Sequence, residues 1–154
     1  MNINIDFPNL YLVPHREISN LIYLEDAISF LNKQSWHDGY ANIYTGLVIE
    51  GIIGVYLFEI KHSRINVDDY VWVIVGDIPP AYITCEDAPN APCALDGYIG
   101  AMDEWVKAVQ SGHSVDDLIP VNVPATSDWA KKLATRLVFL KDKVLCNYQQ
   151  DLLA

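Results

Sequence analysis

Six consecutive apolar residues, Tyr70-Val71-Trp72-Val73-Ile74-Val75, constrain this chain more than any other stretch. Four are β-branched and two are aromatic, the side chains that pack best on a pleated surface, so the run reads as a strand. Ile52 to Ile60 has the same character, and the polar segment Lys61 to Asp69 between the two suits a hairpin connection. Gly76-Asp77-Ile78-Pro79-Pro80 must turn, because neither proline can donate to a ladder. Ala81 to Cys85 then makes a third strand. Consecutive strands with short connections predict an antiparallel meander.

Helical periods flank this block. Leu24, Ala27, Ile28 and Leu31 predict a first helix. Trp36, Tyr40, Ile43, Tyr44, Leu47 and Val48 follow the same spacing, with Ser35 and Asp38 as a capping pair, and predict a second that Gly51 would end. Downstream, Asn90 before Pro92 suits a helix start, and Leu95, Tyr98, Ile99, Met102, Trp105, Val106 and Val109 form one stripe ending at Gly112. Thr126 is placed to cap a last helix with the stripe Trp129, Leu133, Leu137, Leu140, Val144 and Tyr148. The expected architecture is a single α+β domain over residues 1–154: two N-terminal helices, a central antiparallel sheet of three or four strands, and two longer C-terminal helices packed on it.

Charge is segregated along this framework. No lysine or arginine lies between Arg64 and Lys107, whereas Asp68, Asp69, Asp77, Glu86, Asp87, Asp96, Asp103 and Glu104 all do. Five of the ten basic residues, Lys131, Lys132, Arg136, Lys141 and Lys143, sit on the last helix, with Phe139 projecting among them. The formal net charge of -10 disfavours nucleic acid and anionic membranes as partners and favours a cationic one. The basic helix and the acidic middle can also neutralise each other within one molecule.

Cys85, Cys93 and Cys146 are an odd number without a C-x-x-C, which fits a reducing, cytoplasmic setting, and the N-terminus has no signal-peptide pattern. Glu50, Glu59 and three glycines interrupt the apolar stretch Ile43 to Ile60, which argues against a membrane span. Nucleotide-binding glycine loops, the nucleophile elbow and zinc-protease motifs are all missing. His15, His37, His62 and His113 stand alone, so no metal and no cofactor are expected. Glu50, inside an apolar run, is either a buried, partnered acid or an exposed residue at a helix end.

The run from Glu50 to Ile60, the Trp72-x-x-x-Gly76-Asp77-x-Pro79 core, Asp87-Ala88-Pro89-Asn90, the helix with Trp105, and Ile119-Pro120-Val121-Asn122-Val123-Pro124 resemble a family of small bacterial proteins. Some of its members are similar to the immunity proteins of contact-dependent growth-inhibition and related toxin systems. The resemblance spans roughly residues 40 to 145. It implies a cytosolic, non-enzymatic inhibitor that binds the C-terminal toxin domain of a large exported effector and blocks its active site. Many such toxins are nucleases, and a ribonuclease of the pancreatic-type fold is one that the resemblance suggests. A nuclease groove is basic, so its inhibitor gains from carboxylates. The residues expected to meet the partner are Asp68, Asp69, Asp77, Glu86 and Asp87, with Tyr82 as an aromatic anchor. The free protein is expected to be a monomer or weak dimer. Two other classes fit the residues: a small hydrolase using Glu50 with His37 or His62, and an acidic homo-oligomeric scaffold in which the basic last helix docks on another copy's sheet.

Overall fold

The computed structural model describes residues 11–12, 23–62, 69–85 and 88–153. Among these residues five strands form one antiparallel sheet in chain order: β1 (Tyr11–Leu12), β2 (Tyr40–Ile49), β3 (Ile53–Ile60), β4 (Tyr70–Gly76) and β5 (Ala81–Thr84). The predicted meander is β3-β4-β5, in the register Ile53↔Gly76 through Glu59↔Tyr70 and Val71↔Thr84 through Ile74↔Ala81.

Helices cover both faces. Helix α1 (Leu24–Asn32) sets Leu24, Ala27 and Leu31 against Ile43, Tyr56, Phe58, Val71, Val73 and Val75. On the other face Leu47, Val55, Leu57, Trp72 and Ile74 meet α2 (Ala91–Gln110) and α3 (Ser127–Phe139). This layering explains the unbroken apolar runs, since a strand wet on one side alternates and one buried on both sides does not. Burying each such side chain contributes roughly 1.5–3 kcal/mol.

Residues 36–48 do not form the expected second helix. Tyr40–Ile49 is β2, so α1 is the one N-terminal helix among the described residues. The helical spacing comes from two β-bulges, one between Tyr40 and Ile43 and one between Thr45 and Leu47. Each inserts a residue and flips the strand's parity. Ile43 therefore packs on the α1 side and Leu47, four residues on, packs on the α2 side. Gly46 lies in the second bulge, where a Cβ would come within 2.8 Å of Ala91 Cβ and 3.0 Å of Trp72 Cζ3. The start of α2 thus sits directly on β2.

The C-terminal half follows its sequence signals closely. Asn90 Oδ1 accepts the Cys93 N–H at 2.8 Å, and Pro92 occupies the first turn of α2. The helix ends with Gly112 at φ +72, His113 N donating to Ala108 O at 2.8 Å and Gly112 N to Val109 O at 3.2 Å, the paired bonds of a Schellman ending. Thr126 caps α3. A π turn over Leu140–Val144 then adds a residue, so Leu140, Val144 and Leu145 all reach the core. A 3₁₀ turn (Leu145–Tyr148) and the short α4 (Gln149–Leu152) complete the chain, with Asn90 Nδ2 donating to Asp151 O at 2.9 Å. The stripe of α3 departs from expectation at its start. Ala130 is buried, and Trp129, 100° around the helix, remains 40% exposed.

Candidate functional site

Of the expected partner-binding residues, the three that are described, Asp69, Asp77 and Tyr82, are dispersed. Asp69 and Asp77 flank opposite ends of β4, about 26 Å apart at the usual strand rise. The Asp69 carboxylate is 3.0 Å from His62 Nε2, beside a polar group in which Glu59 accepts from Asn42 Nδ2 at 2.7 Å. Tyr70 belongs to the same group, and burial foremost, then Glu59, pushes its phenol up from the ordinary value. Asp77 accepts from Arg136 Nε at 3.3 Å and from a second guanidinium nitrogen at 3.5 Å. Tyr82 lies on the α1 face, 5.2 Å from the Trp36 ring and 6.4 Å from Phe30 between centroids. Asp68, Glu86 and Asp87 lie outside the described residues.

The hydrolase constellation is not assembled. Glu50 is exposed in the three-residue loop joining β2 to β3, not at a helix end, where Gly51 adopts φ +79. His37 and His62 lie near the other end of that hairpin, next to the Tyr40↔Ile60 pair. His37 ties α1 to the start of β2. Its Nδ1 accepts from Gly39 N–H at 2.9 Å, which leaves the proton on Nε2 to meet Leu31 O at 2.6 Å. Among the described residues no three His, Cys, Asp or Glu side chains converge as metal ligands. Cys85 and Cys93 are half-buried and Cys146 is exposed. Burial first, then Asp96 and Asp151, pushes the Cys93 thiol up, away from the thiolate a nucleophile needs.

Most of the described acidic residues face water without a cation. Glu25, Asp26, Asp38, Glu50, Asp96, Glu104, Asp116, Asp117, Asp128 and Asp142 are all exposed, and none forms an ion pair within 4.0 Å among the described residues. Asp103 pairs with Lys107 at 2.8 Å on its own helix, not with the basic last helix. Among the described residues the Asp77–Arg136 bridge joins the acidic middle to that helix.

Around this bridge the surface is both hollow and aromatic. One hollow of about 230 Å³ lies between the Gly76–Pro79 turn, Asn122, Val123 and the Trp129, Lys132 and Arg136 side of α3. Another, of about 330 Å³, lies between Gly51, Ile52, Ile78, Thr135, Phe139 and Leu140. Asp77, Ile78 and Arg136 border both. Lys132 Nζ rests 4.7 Å above the Trp129 ring, and Phe139 is 44% exposed. The sequence signal for Phe139 was its place among the helix cations. The exposure of Trp129 had none, because its spacing matches the buried stripe.

No helix among the described residues is long and apolar enough to cross a membrane. Compared with protein-family models, curated proteins and solved structures, the chain has no significant match in any of the three.

Proposed function

We propose that this protein is a non-enzymatic inhibitor of the immunity type, which binds a cationic toxin domain, a nuclease, and occludes its active site. The observation that carries this reading is the set of exposed carboxylates that have no cation within 4.0 Å among the described residues, on a chain of net charge -10. An uncompensated acidic surface attracts a basic groove from a distance and accelerates association, to about 10⁸ M⁻¹s⁻¹ or more at low salt. The resemblance of the Trp72-x-x-x-Gly76-Asp77-x-Pro79 core to growth-inhibition immunity proteins points the same way.

The test first reads the gene immediately upstream of this chain's gene, where the reading expects a large exported protein with a toxic C-terminal domain, and uses that domain; an upstream gene without one counts against the reading. The domain's binding rate and the rescue of growth are measured for the parent and for two variants. One neutralises Asp68, Asp69, Asp77, Glu86 and Asp87 to their amides and carries Tyr82→Ala. The other neutralises Asp96, Glu104, Asp116 and Asp117. We expect at least one variant to associate about tenfold or more slowly at low salt, with a flatter salt dependence. Equal rates and equal salt slopes for all three proteins refute the reading.

A further inference from the structure

The outer face of α3 has the opposite character to the rest of the molecule. Residues 127–143 hold five cations against two carboxylates, while the whole chain is at -10. Trp129, Val138 and Phe139 are 40%, 59% and 44% exposed on this segment. The hollow beside Phe139 is lined chiefly by Gly51, Ile52, Ile78 and Leu140, so its walls are apolar. Its neighbour across the Asp77–Arg136 bridge is rimmed by Lys132 and Arg136, both anchored: Lys132 over the Trp129 ring, Arg136 on Asp77. The Arg136 bonds are long, 3.3 and 3.5 Å, and exposed, so a better-placed carboxylate can share or replace them at little cost.

We propose that this face is a second docking site, and that its occupant is an acidic peptide segment carrying a bulky apolar anchor. The anchor fills the Ile52–Ile78–Phe139 hollow and the flanking carboxylates meet Lys132 and Arg136. Local charge complementarity selects this occupant over others. A second copy placed face to face would oppose Lys132 and Arg136 with the same charges. A second copy offering its acidic surface instead makes a head-to-tail contact that closes only for particular rotations. An anionic bilayer or a nucleic acid extends beyond the helix and meets the surrounding carboxylates, which repel it. A short segment engages the basic face alone. This site shares one residue, Asp77, with the acidic set assigned to the toxin, and its peptide test involves no toxin, so either reading can fail without the other.

The probe is a short fluorescein-labelled peptide with a Leu-Phe pair flanked by glutamates, and its control replaces the pair with Ser-Ser. Fluorescence anisotropy with the full-length protein is expected to show the first peptide bound and the control about tenfold weaker or worse. Trp129→Ala and Lys132→Glu are each expected to weaken the first peptide by a similar factor. Both positions are exposed, and unchanged circular dichroism and melting confirm the fold. Equal binding of the two peptides, no binding at millimolar concentration, or variants that bind like the parent would overturn the proposal. So would light scattering that shows self-association abolished by Trp129→Ala, or tighter binding to phosphatidylglycerol vesicles than to the peptide.

Discussion

Gly76→Ala is the sharpest perturbation the structure offers, because the turn it enters supports both hollows. Gly76 has φ +139, a region that L side chains rarely adopt, and it pairs with Ile53 at the end of β4. A Cβ there would lie 2.4 Å from Ile52 O and 2.8 Å from Ile53 Cα. These are backbone atoms of the neighbouring hairpin, so no rotamer change relieves the clash. Ile52 O also accepts the Asp77 N–H at 3.1 Å, and moving it breaks that bond. Backbone strain of about 1–3 kcal/mol, overpacking of about 1–3 and a lost hydrogen bond of about 1 combine to roughly 3–7 kcal/mol. Total stability for a domain of this kind is about 5–15 kcal/mol. At roughly 2–4 °C per kcal/mol, the melting temperature should fall by about 6–28 °C. Gly51→Ala is the internal control. Its φ is +79 with nothing within 4 Å of the added Cβ, so it incurs only the backbone cost of roughly 1–2 kcal/mol. Calorimetry and urea unfolding of both variants decide the matter. If Gly76→Ala is no less stable than Gly51→Ala, the close approach of Ile52 is not what makes glycine necessary.

Asn90→Ala removes a cap to Cys93 and a bond to Asp151 O from a side chain that is only 4% exposed, and should cost about 2–3 kcal/mol in urea unfolding. Asn90→Asp keeps the cap and loses the donor, so an intermediate stability with faster hydrogen exchange in α4 is expected; parent-like exchange there would break the assignment. At alkaline pH, burial pushes the Tyr56 phenol up to about 12 and that of Tyr98, which donates to Pro79 O at 2.7 Å, higher still. Both folded values lie above the unfolded one of about 10, so their stabilisation is fully present below about pH 10 and is lost as pH rises toward 12. A urea midpoint that stays flat from about pH 9 to 11.5 would contradict this.

The strands of the meander, α1, α2 and the cap of α3 were legible because each rests on a local rule: apolar runs, helical stripes, Asn90, Thr126, Gly112 and the paired prolines. β2 was not. Its two bulges convert period two into an apparent helical period, and a bulge is set by the partner strand it must match. Among the candidate residues, the chemistry of each acid was readable but its company was not.

Composition, the basic-free stretch from Arg64 to Lys107 and the clustering of cations on the last helix follow from the amino-acid order alone. Only the tertiary structure decided that Asp69 meets His62, that Arg136 takes Asp77 and that Trp129 faces water. Local propensity acts within a few residues, whereas these pairings join positions as far apart as 59 in the chain, and packing alone brings them together.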